Sequence, residues 1–337
     1  MKNIYKIHYI VFFLALFFSK AIAEPTFVQS KSIDIGFYLG LTFNNDGTKM
    51  YTVESDKSSD AVVEYILTTA YDISTATVNN TKVVHRSGGV NKFVPSQVVF
   101  NNDGTKMFIS NHAGENTIDY WSLSTAFDIS TATFNEAFEL DGQEQRANSV
   151  AFNNNGTRMI VAGAGNRSQH QIHEYSLATP FDLSSGTTHL NTEDLSSTHN
   201  YIDGVTFNYD GTKMYTTDDE DNLINQYKLT TAFDTSTLSL EGTLDLSNYS
   251  GLGNARETAF NSDGSKMFVI DQDAEVYEFD LTCNWSIIDG ACDDPITTSD
   301  GGKDILSSIE SQTATAKQIA IQASTPCLLY TSDAADE

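Results

Sequence analysis

Two short acidic runs offer the clearest metal-ligand chemistry in this sequence, at residues 218–221 and 271–273. Carboxylate oxygens are ligands that Ca²⁺ prefers in proteins, so the runs predict a calcium site. Its candidate ligands are Asp218, Asp219, Asp221, Asp271 and Asp273. Neither run has the spacing of a complete calcium-binding loop. Acidic surface loops also follow from composition alone, because 45 acidic and 19 basic residues give the chain a net charge of −26.

A second set of polar residues could bind a ligand or carry out catalysis. They lie in or beside predicted strand ends and loops, and the candidates are Gln97, His112, Arg146, Asn148, His199, Asp203, Arg256 and Glu257. Paired carboxylates of this kind could act as acid and base in glycoside hydrolysis. The histidines lack the paired spacing of a zinc site, and the sequence has no Gly-x-Ser-x-Gly nucleophile motif and no phosphate-binding loop.

The elements that position these residues are set by a repeated octapeptide. Its first copy is Phe-Asn-Asn-Asp-Gly-Thr-Lys-Met, and the five copies begin at Phe43, Phe100, Phe152, Phe207 and Phe260. Each copy predicts a strand, a tight turn and a second strand, because Asp-Gly and Asn-Gly are hairpin dipeptides. The copies lie roughly 55 residues apart, which is near the length of one four-stranded propeller blade.

A second string recurs after the third predicted strand of each repeat. It begins Thr-Ala-Tyr-Asp-Ile-Ser at Thr69, and its aromatic residue is Tyr71, Phe127, Phe181 or Phe233. An Asp followed two residues later by Ser is a good local turn former, and we expect the aromatic ring to hold this loop beneath its blade. In the fifth repeat Trp285 takes the place of that aromatic residue.

We therefore predict an all-β fold, a five-bladed β-propeller with four strands in each blade. The fifth repeat lacks a fourth strand after Leu281. The N-terminal segment 27–35 supplies it, because Ile33-Asp34-Ile35 matches Leu244-Asp245-Leu246 in pattern. Closure of this kind removes free strand edges. The candidate residues then gather on the face built by the loops between second and third strands and between neighbouring blades.

The repeats resemble those of bacterial propellers related to the YVTN and NHL families. The resemblance rests on the Phe-x-x-Asp-Gly-Thr-Lys-Met-Tyr string from Phe43 and on the Tyr-x-Leu and Thr-Ala-Phe-Asp segments that follow, and it covers roughly residues 26–285. It implies the fold and leaves function open. Propellers serve as lactonases, glycosidases, dehydrogenase subunits, lectins and interaction scaffolds.

The two ends of the chain differ from the propeller at 24–285. Residues 1–23 read as a secretory signal, with lysines, an apolar run and Ala21-Ile22-Ala23 before the expected cleavage. We expect a linker over 286–303, a disulfide between Cys283 and Cys292, and a short amphipathic helical tail over 304–326. The string at 308–317 resembles segments that precede the membrane barrel of autotransporter-like proteins. Residues 327–337 resemble a translated sequencing adapter, so we expect the natural protein to continue further.

These features predict an exported or cell-surface module that binds a ligand without catalysis, with a glycan or a protein as partner. The alternative is a propeller enzyme of the metal-dependent lactonase or glycosidase type, with its site at the central mouth. The negative charge disfavours nucleic acid as a partner. We expect the propeller to be monomeric, to be periplasmic, surface-bound or extracellular, and to reach a membrane only through a further C-terminal domain.

Overall fold

The computed structural model describes residues 24–33, 38–55, 60–84, 94–112, 116–140, 146–165, 169–184 and 186–288. These residues form twenty strands in five antiparallel sheets of four strands, arranged as the blades of a propeller ring. The first strand of each repeat is the innermost, because these strands contact one another around the central axis. The predicted five-bladed, all-β fold is confirmed.

The strand bounds follow the repeat closely. Blade one contains β2 (Tyr38–Phe43), β3 (Lys49–Glu54), β4 (Ala61–Leu67) and β5 (Ala76–Val83). Blade two contains β6 (Pro95–Phe100), β7 (Lys106–Asn111), β8 (Thr117–Leu123) and β9 (Ala132–Glu139). Blade three contains β10 (Ser149–Phe152), β11 (Arg158–Gly165), β12 (Gln169–Ser176) and β13 (Thr188–Asp194). Blade four contains β14 (Ile202–Phe207), β15 (Lys213–Asp218), β16 (Leu223–Leu229) and β17 (Leu238–Asp245). Blade five contains β18 (Ala255–Phe260), β19 (Lys266–Asp271), β20 (Glu275–Asp280) and β1 (Thr26–Ser32).

Short 3-10 helices join third and fourth strands in three of the blades. They span Ile73–Thr75, Ile129–Thr131 and Thr235–Thr237, and a further one, Leu246–Asn248, follows β17. The first three begin at the predicted Asp turn; Asp128 Oδ1, for example, accepts hydrogen bonds from the Ser130 backbone N–H at 3.0 Å and from its hydroxyl at 2.6 Å. In blades one, two and four the fourth strand therefore begins directly after this turn.

The octapeptide turn is held by the aromatic residue of the second string. Gly104 has a φ of +70°, and a Cβ atom there would lie 2.2 Å from the Phe127 ring. Phe127 itself has a φ of 57°, which an L-residue adopts only when its surroundings fix it. Gly264 has the same contact with Trp285. The aromatic ring of the second string therefore packs on the octapeptide turn and attaches its loop to the blade, and Trp285 takes its place in blade five, as predicted.

The core lies between adjacent blades. The Phe that begins each octapeptide packs against an apolar residue on the second strand of the blade before it. Tyr51 and Phe100 have ring centroids 4.6 Å apart, Tyr215 and Phe260 4.5 Å apart. Aromatic pairs at such distances are stabilising beyond their buried area.

Buried glutamates also link neighbouring blades, which the sequence had not suggested. Glu174 Oε2 accepts hydrogen bonds from the Thr235 backbone N–H at 2.8 Å and from its hydroxyl at 2.9 Å, and it also pairs with Arg158. Glu64 accepts from the Ile129 N–H at 3.2 Å in the same way. Each glutamate therefore caps a 3-10 helix in the next blade.

The N-terminal strand closes the ring, as predicted. β1 pairs antiparallel with β20, from Thr26 opposite Asp280 to Ser32 opposite Glu275. The predicted alignment was wrong by two residues, because Ile33, and not Ile35, occupies the place of Leu246. Both residues donate their N–H at 3.0 Å to the carbonyl of the residue before a third strand.

Several predictions concern residues outside the described ranges. These are the signal at 1–23, the tail and adapter segments after 288, and Asp34 and Ile35. Cys283 is disulfide-bonded, while its predicted partner Cys292 lies outside those ranges. Within the part of the chain that the structure describes, no helix is both long and apolar enough to span a bilayer.

Candidate functional site

Bulges in the innermost strands present polar residues to one end of the central channel. The strand registers skip one residue in β6, one in β14 and one in β18, and these residues are Ser96, Asp203 and Arg256. A β-bulge breaks the alternation of side chains and re-aims the extra residue. All three residues occupy the same position, four before the octapeptide Phe.

These bulge residues enclose a small polar cavity, which we call the chamber. Its volume is about 50 Å³, and it is lined by Ser96, His112, Asn148, Tyr201, Asp203 and Arg256. Four of the predicted ligand-binding residues therefore meet here. A fifth, Arg146, lies beside it and donates from Nη1 to the Tyr201 hydroxyl at 3.1 Å.

Arg256 organises the charges of the chamber. Its Nη1 donates to Asp203 Oδ2 at 2.6 Å and also to Asp219 Oδ2. Burial raises the pKa of Asp203 to about 7, since the nearby Asp219 adds to the effect of burial and Arg256 only partly opposes it. Burial likewise raises the pKa of Asp219. The two carboxylates are within hydrogen-bonding reach of each other, closer than the separation that two-carboxylate glycosidases use.

Three polar atoms of the chamber have no hydrogen-bond partner within the described ranges: His112 Nδ1, Asn148 Oδ1 and Arg256 Nε. Asn148 Nδ2 donates to the Ile202 carbonyl at 2.7 Å and to Asp203 Oδ1 at 2.9 Å, which fixes the amide orientation. Burial, with Arg146 and Arg256 nearby, lowers the pKa of His112 to about 4. The cavity is polar and large enough to hold ordered water.

The residues that directly follow the bulge positions, three residues before each octapeptide Phe, form the floor of the chamber. Glu257 Oε2 accepts from the Ser149 hydroxyl at 2.8 Å, and the Gln97 amide is also in hydrogen-bonding contact with Glu257. The two remaining blades supply Gly40 and Gly204, where a Cβ atom would lie 2.4 Å from Gln97 Oε1 and 2.6 Å from Glu257 Oε1. The side chains therefore cross the axis only because two positions are glycine.

Glu257 is buried, with 1% of its surface exposed. Burial raises its pKa well above the usual range, although hydrogen bonds from Ser149 and the Thr258 N–H lower it. The predicted residues Gln97 and Glu257 thus sit together, and their main effect is to divide the channel into two cavities.

His199 lies apart from this group. Its Nε2 is 2.6 Å from the Thr216 hydroxyl and 3.1 Å from Asn225 Nδ2, and it is not among the residues lining the chamber. Burial lowers its pKa to about 4. Its contacts give it a structural role within blade four.

The acidic runs mainly bind backbone N–H groups. Asp218 accepts from the N–H groups of Asn200, Glu220 and Asp221, at 2.7, 3.1 and 3.1 Å. Asp271 accepts from those of Gly253, Asp273 and Glu275, at 2.9, 2.9 and 3.0 Å. Asp221 accepts from Asn200 Nδ2 at 2.7 Å. Among the described residues, no group of three or more His, Cys, Asp and Glu side chains is placed to hold a metal ion. The calcium site stays a prediction.

A larger cavity opens at the other end of the channel, on the face of the octapeptide turns, and we call it the funnel. Its volume is about 580 Å³. Its mouth is formed by exposed residues that lie two positions after each octapeptide Phe. They are Asn45, Asn102, Asn154, Tyr209 and Ser262. Its wall is formed by the half-buried octapeptide Phe residues and by the residues just before them: Thr42, Val99, Ala151, Thr206 and Ala259.

The funnel lining is free of charged side chains. Among the described residues that line it, none is Asp, Glu, Lys, Arg or His. The chain as a whole is 19% charged, with a net charge of −26. Sequence reasoning placed the binding face at the opposite end, and of the residues that it proposed only Gln97 lines the funnel. The rest of the lining consists mainly of the repeat's own residues, which gave no sign of a site.

Comparison with known proteins assigns no family to this chain. No family model matches it, and no curated protein matches it. Among solved structures, the crystal structure of a protein from Lactobacillus plantarum matches with a TM-score of 0.42 and 14% sequence identity. The match covers 69% of this chain and 63% of that one, so the chain spans less than two thirds of its length. The resemblance to YVTN and NHL repeats stays a prediction.

Proposed function

We propose that the protein is an exported, non-catalytic module that binds an uncharged ligand in the funnel. The observation that carries the proposal is the absence of charged residues among the described residues of a 580 Å³ cavity, in a chain of net charge −26. A volume of that size falls in the range of small-molecule sites, about 300 to 1,000 Å³. A charged ligand would lose its hydration there without gaining a counter-ion.

The chemistry of the funnel lining supports binding over catalysis. The polar side chains among its described residues are amides, hydroxyls and the indole of Trp285, and these residues include no pair of acid and base whose pKa lies near neutrality. Disulfide bonds persist in oxidising compartments, so the disulfide at Cys283 supports export.

The test of this proposal is a ligand screen with a blocked funnel. Thr206 lies half-buried in the funnel wall, so Thr206→Lys places an ammonium group inside the cavity. We expect ligand-observed NMR of a mixture of charged and neutral small molecules to find neutral binders, which Thr206→Lys abolishes. Val78→Lys is the matched control, because Val78 is 61% exposed on the outer strand β5. Binders that are predominantly charged, or that persist in Thr206→Lys, contradict the proposal.

A second candidate function is hydrolysis at the chamber. The observation that favours it is the pKa of Asp203, which at about 7 suits general acid–base catalysis near neutral pH. The chamber, at about 50 Å³, accepts only the reacting group of a substrate. A panel of lactones and aryl glycosides tests this function, and any turnover must fall at least a hundredfold in Asp203→Asn. Turnover unchanged by that substitution, or none on the panel, argues against an enzyme.

A further inference from the structure

The funnel mouth carries a ring of amides with a common orientation. Asn45 Nδ2 donates to the Asn102 carbonyl at 2.7 Å, Asn102 Nδ2 to the Asn154 carbonyl at 2.5 Å, and Asn154 Nδ2 to the Tyr209 carbonyl at 2.5 Å. Because a backbone carbonyl oxygen can only accept a hydrogen bond, the NH2 group of each side-chain amide must face it, which fixes the orientation of the amide. Each Oδ1 is therefore available as a hydrogen-bond acceptor at the rim.

Aromatic surface lies next to these acceptors. Tyr209 takes the fourth place in the ring, and 73% of its surface is exposed. Below the rim stand the octapeptide Phe residues, each half-buried, with Phe100 packed between Tyr51 and Phe127. An exposed tyrosine in a ring otherwise made of asparagine and serine offers a flat face with a polar tip.

The funnel wall combines hydroxyl and apolar groups. Thr42 and Thr206 are half-buried there, beside Val99 and Ala151. A ligand that fits this lining has several hydroxyl donors, apolar C–H faces and no charge. Peptides fit less well, because their backbone offers one donor and one acceptor per residue and their free ends are charged.

We propose that the funnel binds the end of an uncharged carbohydrate chain, with a sugar ring against Tyr209 and sugar hydroxyls donating to the rim amides. This inference rests on the proposed function, since it names the ligand class of the same cavity. Three of the five blades offer an amide oxygen in the repeated rim position, which suits a ligand with several neighbouring hydroxyls.

A built-in fluorescent reporter makes the inference testable. The chain has two tryptophans, of which Trp285 lines the funnel. The other, Trp121, is buried in the core shared by blades one and two. The variant Trp121→Phe leaves Trp285 as the only tryptophan. We expect at least one neutral trisaccharide among maltotriose, cellotriose, xylotriose and triacetylchitotriose to change the Trp285 emission with a saturable curve.

Two rim variants test the contacts in the Trp121→Phe background. Tyr209→Ser copies the residue of blade five and removes the aromatic face, and Asn102→Ala removes one acceptor. We expect at least tenfold weaker binding of the trisaccharide in Tyr209→Ser and at least threefold weaker binding in Asn102→Ala. Val78→Ser, on the outer strand, is the control and must bind as the parent does. Thermal melts establish that each variant is folded.

The outcomes separate the inference from the proposed function. A response only to a peptide of Gly, Ser and Asn with acetylated and amidated ends, lost in Thr206→Lys, overturns the carbohydrate inference and keeps the neutral-ligand funnel. Equal binding of 3′-sialyllactose and neutral sugars, or saccharide binding unchanged in both rim variants, overturns the inference as well. No response to any neutral probe overturns both.

Discussion

The two ends of the central channel are built from the same five strands and differ in symmetry and charge. At the funnel end every innermost strand ends at the octapeptide Phe and is followed by an Asn, and the described residues of the lining are uncharged. At the chamber end the equivalent bulge positions hold Ser96, Asp203 and Arg256, and no two of these residues are of the same type. The octapeptide turns require the same residues in every blade, whereas the bulges do not. The funnel therefore offers similar contacts from several blades, and the chamber offers one asymmetric cluster of charged and polar residues.

The largest loss of stability is predicted for a substitution that removes Arg256, the cation that lines the chamber. Arg256→Ala leaves the Asp203 and Asp219 carboxylates without their shared partner, and breaking a buried ion pair costs about 3 to 5 kcal/mol. We expect such a loss in the free energy of unfolding at pH 8, measured by denaturant melts. The loss must shrink at pH 5, because Asp203, with a pKa of about 7, then binds a proton.

A second substitution separates charge from packing at this site. Adding Asp219→Asn to Arg256→Ala removes one of the unpaired carboxylates, so it must restore part of the lost stability at pH 8. An equal loss at pH 5 and pH 8 would show that Arg256 acts through packing alone.

The next largest loss of stability is predicted for a substitution in an octapeptide turn, at the funnel end of the channel. Gly104→Ala forces a left-handed backbone onto a residue with a side chain and pushes the Phe127 ring out of place. Strain of this kind costs about 1 to 3 kcal/mol, and we expect a loss of about 2 to 3 kcal/mol in unfolding free energy. Gly251→Ala is the control, because its φ is also positive but the nearest atom to its Cβ is 4.0 Å away. Equal losses in the two variants would rule out the ring contact as the cause.

The floor between the cavities gives a pH-dependent prediction. Because burial raises the pKa of Glu257 above its value in the unfolded chain, stability is greatest below that unfolded value and falls as pH rises through the folded pKa. Glu257→Gln cannot ionise, but its single amide oxygen can accept only one of the hydrogen bonds from Ser149 and the Thr258 N–H. That lost acceptor acts at every pH, so the comparison is between two pH values: we expect the unfolding free energy of Glu257→Gln, relative to the parent protein, to be higher at pH 8 than at pH 4. The same difference from the parent at both pH values would contradict the effect of burial.

The smallest effects compare two neighbouring asparagines of the repeat. Asn101 is buried, and its Oδ1 accepts the Lys106 N–H at 2.9 Å within the turn. Asn102 is exposed at the funnel rim. We expect Asn101→Ala to cost about 1 to 2 kcal/mol and Asn102→Ala about 0.5 kcal/mol in thermal or denaturant melts. The reverse order would mean that the rim amides stabilise the fold more than the turns do.

Most of the fold could be predicted from the sequence because its signals are local. Asp103-Gly104 fixes a hairpin wherever it occurs between apolar residues, and five such hairpins at even spacing fix the blade count. The closing strand was placed in the right blade and at the wrong residue. An alternating Ile-x-Ile pattern looks the same after a shift of two residues, so the pattern alone cannot separate Ile33 from Ile35.

The candidate site could be predicted in part, for a related reason. Asp203 and Arg256 stand at a fixed distance before the octapeptide Phe, so counting along the repeat brings them together. The hydrogen bonds of Asp218 depend on backbone N–H groups of a loop, which no side-chain pattern reveals. The sequence pattern identified the funnel residues as turn and core residues. They do have those roles, and they also line the funnel.

The pairing of β1 with β20 determines when the ring can close. β1 is synthesised first and its partner last, so the other four blades can form by local pairing while the fifth waits for residues near Asp280. Long-range pairings of this kind form slowly. Until this pairing forms, β1 with its Phe27 side chain and the free edge of β20 both lack their partners. Two such edges are complementary, so exchange of β1 between two copies is the misassembly that this architecture favours.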